Sequence, residues 1–447
     1  MLHYNVPQEL IEIIVDEVAS SKDDAQRVST LCVCSRTSWS FLTASRKHLF
    51  EEVTLEEDAG DDTETSLKDG SRLKDFLQIL ENDPCLRYAE QQHLSLNIKS
   101  LNIRLSGARA ARNKRGFRAL NRERSFLPSI LKLIPGIHKF GLSFDSRQTC
   151  NSWVFVDDPL KGALVQFCTS QPIITMELRH IHALPLTLLI DCLGLVSLSV
   201  DGLTEVDEQA SRTPSQLSFS MLESLSVTYS SNFLELLGRV HLRTPSDIIH
   251  TPFSSLRRLE TPLGMIEWEF IRSLPSLSHL CFSRTSEPFN RYSYLDLRHL
   301  KSLRYLMLKW NFGNTNGFAS LPYVIAWPKP GADVEVEDFP DLATVPILTL
   351  DIFGEWNFCT RRNEQQKFMA SAGWNSLDGV LSSGMFRNLH FIRFDLTLRY
   401  TALSTLTHSV EKYLLKKVQE KLPELLPILS KSDSIRIQLD IHVAIHE

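Results

Sequence analysis

Few residues of this chain have the types and spacing that catalysis or metal binding requires. Two histidine pairs come closest, His180 with His182 and His442 with His446. Two imidazoles without a third ligand or a supporting carboxylate make a weak zinc site. The sequence contains no phosphate-binding glycine loop, no G-x-S-x-G nucleophile turn and no H-E-x-x-H motif. We therefore predict no catalytic residue, no metal and no cofactor, and we do not expect an enzyme.

The composition is ordinary for a folded chain and excludes several classes of partner. Of the 447 residues, 43% are hydrophobic and 23% are charged, with a formal net charge of −5. A negative balance gives no electrostatic reason to expect a nucleic acid or an anionic membrane as partner. The most apolar stretch, residues 183–200, is interrupted by Pro185 and Asp191, so we expect no membrane span. Residues 1–20 lack the basic and apolar regions of a signal peptide.

The eight cysteines are predicted to be free thiols. Cys32 and Cys34 lie two residues apart on one predicted helix, and the remaining cysteines are far apart in sequence without a C-x-x-C pair. Free thiols are typical of a reducing compartment. We therefore expect the protein in the cytoplasm or the nucleus.

The helix that must position any binding site near the N-terminus is unusually apolar. Val6 and Pro7 precede it, and its apolar residues are Leu10, Ile11, Ile13, Ile14, Val15 and Val18. At 100° per residue they cover an arc of about 200°, whereas a surface helix needs only about 100°. A helix this apolar in so short a module has to be buried on two sides. One side can be the core of the module itself, and the other is most simply a partner protein.

The first fifty-five residues resemble the F-box, a three-helix segment that attaches substrate receptors to the Skp adaptor of SCF-type ubiquitin ligases. They look most like the large fungal F-box family. The residues that carry the match are Pro7, Glu9, Leu10, Ile14, Leu31, Val33, Cys34, Trp39, Leu49 and Phe50. The family commonly places its cysteine and tryptophan closer together than Cys34 and Trp39 stand here. The relative register of the second and third helices therefore stays open.

The resemblance implies a function and a set of contacts. It implies a substrate-recruiting subunit that binds a Skp-type adaptor and, through it, a cullin, and that presents an unidentified protein target for ubiquitin-dependent degradation. The expected adaptor-binding residues are Val6, Pro7, Leu10, Ile14, Leu31, Cys34 and Trp39. The alternative is a non-catalytic repeat scaffold for protein–protein interaction, in which the N-terminal helices only cap the array.

Past residue 90 a degenerate phrase recurs, in which apolar residues are separated by two positions and then by one. A first copy is expected at Leu94/Leu96 and a last near Ile435/Ile437/Leu439. The copies between them are Ile137/Phe140/Leu142, Ile173/Met176/Leu178, Leu195/Leu198/Val200, Leu222/Leu225/Val227, Leu256/Leu259/Thr261, Leu277/Leu280/Phe282, Leu303/Leu306/Leu308, Val345/Leu348/Leu350 and Leu389/Ile392/Phe394. The shorter spacings fall within the 20–29 residue period of leucine-rich repeats, whose units stack to bury a shared core.

These patterns together predict an α/β fold in three parts. We expect a short three-helix F-box-like module (1–55), an acidic linker and connecting helix (56–90), and an irregular leucine-rich-repeat-like solenoid (91–447). Surface segments are expected at residues 56–66, at the basic segment 104–124, which we interpret as a solvated insertion, and at residues 328–341. An amphipathic helix is expected at residues 406–429, and Leu198, Leu225, Leu280 and Leu306 should be among the most buried residues.

A target would bind on the strand residues that alternate with the buried leucines, because alternate residues of a strand face opposite sides. On the early strands these residues are mostly serines, such as Ser197 and Ser224. On the later strands they include aromatic and cationic side chains, which tend to carry binding energy. The predicted target-binding residues are Arg258, His279, Tyr305 and Lys309. The alternative is that these are ordinary solvated residues and that the target binds the loops.

Overall fold

The computed structural model divides the chain into two compact units, Met1–Met221 and Leu222–Glu447. Both units combine helices with parallel strands, so the expected α/β class is confirmed. The structure describes residues 6–57, 72–82, 93–106, 124–144, 153–185, 187–190, 192–203, 206–207, 219–230, 232–235, 237, 253–262, 268–285, 297, 300–311, 346–358, 372–382, 386–401, 416 and 419–446.

The first unit opens with three helices, as the sequence predicted. They are α1 (Gln8–Ala19), α2 (Asp24–Thr37) and α3 (Trp39–Leu49). Pro7 stands at the N-cap of α1, where its missing N–H costs nothing, and its carbonyl accepts backbone hydrogen bonds from Leu10 and Ile11.

A single residue joins α2 to α3. Ser38 is extended and forms both the C-cap of α2 and the N-cap of α3. Its hydroxyl oxygen accepts a hydrogen bond from the backbone N–H of Phe41 at 3.3 Å. The wide spacing between Cys34 and Trp39 is therefore one further turn of α2 and a one-residue connection. This settles the register that the sequence left open.

Five parallel strands of the first unit pair in chain order. The strands are β1 (Glu52–Glu56), β2 (Ser100–Leu105), β3 (Lys139–Phe144), β4 (Thr175–Arg179) and β5 (Ser197–Asp201). The helices among them are α4 (Arg72–Glu81), α5 (Leu94–Asn97), α6 (Leu127–Leu133), α7 (Asp158–Ser170) and α8 (Thr187–Ile190), with a 3₁₀ turn at Trp153–Phe155. A two-residue parallel ladder also pairs Leu184–Pro185 with Val206–Asp207.

Seven parallel strands of the second unit likewise follow chain order. They are β6 (Ser224–Thr228), β7 (Arg258–Pro262), β8 (His279–Thr285), β9 (Tyr305–Asn311), β10 (Thr349–Phe358), β11 (Phe391–Thr401) and β12 (Arg436–His446). Between them lie α9 (Trp268–Arg272), α10 (Ala372–Leu381) and a 3₁₀ turn at Leu429–Lys431. The carboxylate of Asp378 in α10, only 1% exposed, accepts the backbone N–H groups of Ile428 and Leu429 and so holds the turn that precedes β12.

Each unit repeats one hydrogen-bond arrangement where its strands begin. The carbonyl of the residue before a strand accepts the N–H groups of the first residue of the next strand and of the residue before it. In the second unit, for example, the carbonyl of Glu223 accepts Arg257 and Arg258, both at 2.9 Å. The arrangement recurs from β6 to β11, and in the first unit from β1 to β5. It aligns successive strands so that their apolar positions stack.

The stacked positions form the core. Leu198 is 1% exposed, and Leu225, Leu280 and Leu306 are completely buried, which confirms the prediction for these residues. In the second unit Leu259 lies in register with Leu280, which in turn lies in register with Leu306. The apolar phrase therefore marks the inward side of the strands. Because side chains alternate between the two sides of a strand, every second residue is buried in the core.

Two copies of the phrase were assigned wrongly. Leu94 and Leu96 belong to the helical turn α5, and Leu96 is 42% exposed; the strand begins at Ser100. The phrase at Val345/Leu348/Leu350 is shifted by two residues. Leu348 is 39% exposed, whereas Ile352 is buried beside Leu350. The sequence is compatible with the phrase at 345/348/350 and with the phrase at 347/350/352. The pairing of β10 with β9 selects the second, in which Leu350 lies in register with Leu306.

The connecting segments match the predictions only in part. Between strands the chain is helical at Thr187–Ile190 and at Trp268–Arg272. Residues 419–425 are helical within the expected helix 406–429. Most of the surface segments 56–66 and 104–124, and all of 328–341, lie outside the described residues. Among the described parts of the chain, no helix has the length and apolar character to cross a membrane.

Candidate functional site

The three N-terminal helices enclose a small core of their own. Ile11 and Val15 of α1 are buried together with Leu31 of α2 and Ala44 of α3, and Phe41, Leu49, Val18 and Ala19 pack around them. His48 Nε2 of α3 lies 2.6 Å from Asp16 Oδ1 of α1 and adds a polar contact between the two helices. We call α1–α3 the helical module.

A second group of apolar residues on the helical module is exposed. Leu10 is 50% exposed, Ile13 63% and Ile14 46%, and on a helix of 3.6 residues per turn these three share one side of α1, adjacent to the buried side that holds Ile11 and Val15. Further exposed apolar residues of the module are Val6, Val28, Val33 and Trp39. We call Leu10, Ile13 and Ile14 the exposed apolar face. Helix α1 thus has the two apolar sides that the sequence predicts, and only one of them is used within the module.

The predicted adaptor-binding residues separate into two groups. Val6, Pro7, Leu10, Ile14 and Trp39 are exposed, and Cys34 is half-buried. Leu31 is 2% exposed and lies in the core of the module. Leu31 therefore lies beneath the surface and cannot itself make a large contact, although the resemblance implied a place for it among the adaptor-binding residues.

On the strands of the second unit, the residues that alternate with the core form a polar row. Arg258, His279 and Tyr305 occupy equivalent positions on β7, β8 and β9. The rings of His279 and Tyr305 lie 5.5 Å apart with an interplanar angle of 37°. Lys309 lies farther along β9. The structure therefore brings together the four predicted target-binding residues on adjacent strands, and we call this side of β6–β12 the outward face.

Lys309 is already engaged within the chain. Its Nζ lies 2.7 Å from Glu260 Oε1, and the hydroxyl of Ser226 donates to Glu260 Oε2 at 3.4 Å. Burial would lower the pKa of Lys309, but the hydrogen bond to Glu260 raises it overall. Burial, together with the charge of Glu260, raises the pKa of the neighbouring Cys281 thiol to about 12. A thiol with that pKa is protonated at neutral pH and is a poor nucleophile.

Burial and neighbouring polar groups shift the pKa values of Tyr305 and His279 in this row. The Tyr305 hydroxyl donates to Asp351 Oδ2 at 2.6 Å, and burial and this hydrogen bond raise the pKa of Tyr305. Burial, and then the positive charge of Arg258, lower the pKa of His279. At neutral pH the row therefore presents a neutral imidazole, a neutral phenol and the exposed guanidinium of Arg258.

A second polar cluster on the outward face was not predicted. Arg393 of β11 lies 3.1 Å from Asp440 of β12 and 3.2 Å from Asp395, and its guanidinium stacks over Phe353 at 5.6 Å from the ring centroid. Asp351, 7% exposed, has one carboxylate oxygen on Tyr305. The alternation of the strands signals that these residues face outward. Their partners lie on different strands, however, and no local pattern reveals such pairs.

The polar contacts described on the outward face are the ion pairs Lys309–Glu260 and Arg393–Asp440 and the hydrogen bond from Tyr305 to Asp351. No three His, Cys, Asp or Glu side chains in the described ranges are grouped to hold a metal ion. Cys32, Cys34, Cys168, Cys192 and Cys281 are free thiols. In comparisons with models of protein families and with curated proteins, no match to this chain was found.

Proposed function

We propose that this protein is the substrate-recruiting subunit of an SCF-type cullin ubiquitin ligase. In this proposal the helical module binds a Skp-type adaptor, and the strand-bearing units, as an irregular leucine-rich-repeat-like array, bind a protein target. The protein itself breaks no bond. It raises the effective concentration of the target near the ubiquitin-transferring subunits.

The observation that carries the proposal is the exposed apolar face of α1. Leu10, Ile13 and Ile14 lie in solvent on a helix whose other apolar side already has a core. Burying one Leu or Ile side chain is worth about 1.5–3 kcal/mol. Single exposed apolar residues are common on protein surfaces, whereas several that lie together typically mark an interaction surface. A partner with an apolar groove would account for them.

The alternative is that the helices only cap a repeat scaffold. The two proposals differ in what the apolar side of α1 contacts. In a cap, that side would cover the end of the repeat array. The module continues from α3 into β1, and the carbonyl of Glu51 accepts the N–H groups of Lys99 and Ser100. Among the described residues, α1 packs chiefly against α2 and α3. Within the described ranges the exposed apolar face of α1 covers no part of the sheet, which favours the receptor.

The outward face of the second unit supports a target-binding role. Arg258 is exposed, and His279 and Tyr305 are half-buried beside it. Aromatic and arginine side chains commonly anchor protein interfaces. The ion pair of Lys309 with Glu260 makes Lys309 a weaker candidate, because binding through its ammonium would first break an internal contact.

Co-purification with the Skp-type adaptor tests the first half of the proposal. Leu10→Lys with Ile14→Lys places two cations on the exposed apolar face, and lysine keeps a helix propensity close to that of leucine. We expect this variant to lose the adaptor while the unfolding midpoint stays near that of the wild type. The matched control is Gln8→Lys with Glu12→Lys, at the same spacing on the polar side of α1, which should retain the adaptor. Retention by both variants would contradict the proposal, and so would failure of the wild type to bind.

Proximity labelling in the native cell tests the second half. Arg258→Glu with Tyr305→Ala should remove the target from the labelled set and leave the adaptor in it. The control is Ser197→Glu with Ser199→Ala on β5, where we expect no loss. An unchanged set of labelled proteins for the first variant would place the target elsewhere.

A further inference from the structure

Asp351 on β10 is a buried carboxylate with an incomplete set of partners. The residue is 7% exposed, and its Oδ2 accepts the Tyr305 hydroxyl at 2.6 Å. No described residue donates a hydrogen bond to its buried Oδ1. Among the described residues of the second unit, no other charged side chain has a buried polar atom without a partner. Buried polar groups of native proteins almost always have one, so this exception calls for an explanation.

The arginine that lies in register with Asp351 is bound to other carboxylates. Arg393 is opposite Asp351 on β11, but its guanidinium lies 3.1 Å from Asp440 and 3.2 Å from Asp395. Three carboxylates therefore lie near one guanidinium, and Asp351 is the one that has no ion pair among the described residues. A buried charge is costly unless it is paired and hydrogen-bonded. A further cation at Asp351 would supply both.

The side chains beside Asp351 suit the stem of a long cationic residue. Met307 lies in register with Asp351 on β9, and Phe353 follows it by two residues on the same side of β10. Met307, Phe353 and Tyr305 are all half-buried, so part of each faces solvent. Lysine and arginine pack an apolar stem on such residues and carry a head that donates several hydrogen bonds. Aromatic rings also attract cations.

We propose that the target presents a lysine or arginine side chain to Asp351, with the cationic head donating to Oδ1 and the stem packed on Met307. The proposal rests on the proposed function in that the outward face binds a protein target. The side chain of Met307 is unbranched and flexible, so it can move aside for the cation. Lys309, two residues along the same strand, is held by Glu260 and does not fill this place.

Oriented peptide libraries test the proposal on the full chain. Each fluorescent library has nine-residue peptides with random flanks and one fixed central residue, which is lysine, arginine, glutamine or glutamate. The wild type should bind the lysine and arginine libraries roughly tenfold more tightly than the glutamine library, because hydrogen bonds between charged groups are stronger than neutral ones. The glutamate library should bind least. Equal binding of the lysine, arginine and glutamine libraries would overturn the proposal.

An isosteric variant assigns the preference to Asp351. Asp351→Asn removes the charge and keeps an oxygen that can accept from Tyr305, and it should abolish the preference for lysine and arginine. The matched control is Asp433→Asn, an exposed position before β12, which removes the same charge from the chain and should keep the preference. A preference that survives in Asp351→Asn would place the cation elsewhere and overturn the assignment.

A second pair of variants does not depend on how well Asp351→Asn folds. Met307→Lys supplies a cation from within the chain, in register with Asp351, whereas Met307→Gln is its neutral counterpart. The lysine variant should have the higher unfolding midpoint and should no longer prefer the basic libraries, and the glutamine variant should keep the preference. Equal midpoints and equal library binding would show that Asp351 does not take up a cation.

The outcome is separable from the proposed function. The libraries are measured without the adaptor, so a failure to bind the adaptor would leave a preference for basic peptides standing. Conversely, loss of the peptide preference would leave adaptor binding through α1 intact.

Discussion

Glu57 and Arg124 form an ion pair that is almost completely removed from solvent. Arg124 Nε lies 2.7 Å from Glu57 Oε1, and the two side chains are 4% and 1% exposed. Arg124 also donates to the carbonyl of Ser106 at 2.8 Å, and the N–H of Ser106 donates to Glu57 Oε2 at 2.7 Å. The pair therefore ties the end of β1 to the end of β2 and to the residues before α6.

Removing one member of this pair should destabilise the first unit severely. Arg124→Met leaves a buried carboxylate without its counter-ion, for which we expect a loss of about 3–5 kcal/mol in the free energy of unfolding. Glu57→Gln with Arg124→Met removes both charges and keeps an acceptor for Ser106, so it should recover most of the loss. Urea unfolding of the three proteins measures the difference. Equal stability of the single and double variants would show that the unpaired charge is not the cause.

The corrected register of β10 gives a second prediction. Leu280→Ala should lower the free energy of unfolding by about 2–5 kcal/mol, because Leu280 is fully buried between Leu259 and Leu306. Leu348→Ala is the matched comparison, because the sequence assigned Leu348 to the same ladder, whereas the structure leaves it 39% exposed. We expect a change within about 0.5 kcal/mol for Leu348→Ala. A large loss there would restore the register read from the sequence.

The reactivity of Cys281 should show its raised pKa. Because the thiolate is the reactive form, alkylation of a thiol with a pKa of about 12 should continue to accelerate from pH 7 to pH 10 and should not level off. Mass spectrometry of the peptide that contains Cys281 follows the rate. In Glu260→Gln one of the charges that raise the pKa is absent, so the thiolate fraction at a given pH should increase. A plateau near pH 9 in the wild type would contradict the assignment.

His279 should titrate below its ordinary value. Burial and the charge of Arg258 lower its pKa in the folded chain, so the unfolded chain binds the proton more readily. The contribution of His279 to stability is therefore present above about pH 6.5 and is lost as the pH falls below it. A histidine titration followed by NMR should give a midpoint below 6.5 in the wild type. Arg258→Ala should raise it part of the way, since burial remains, and no change would exclude the charge as a cause.

The sequence by itself determined the features that depend on local periodicity. The two apolar sides of α1 follow from the spacing of Leu10, Ile11, Ile14 and Val15, and the alternation of the strands separates Leu280 from His279. Such patterns are visible in one segment because the helical and strand periods are properties of the backbone. They specify which side of an element is apolar, but not what covers it.

Only the tertiary structure decided the relations between segments. Leu94 and Leu96 satisfy the apolar phrase but form a helical turn, and β10 takes one of two possible registers because Leu350 stacks on Leu306. The pairs Arg393–Asp440 and Glu57–Arg124 join residues 47 and 67 positions apart. Their distance in space depends on how the intervening chain returns to the sheet. The repeated apolar phrase predicts that each strand stacks on a neighbour. Which polar side chains come into contact depends on the register between strands and on burial, and both are set by the tertiary structure.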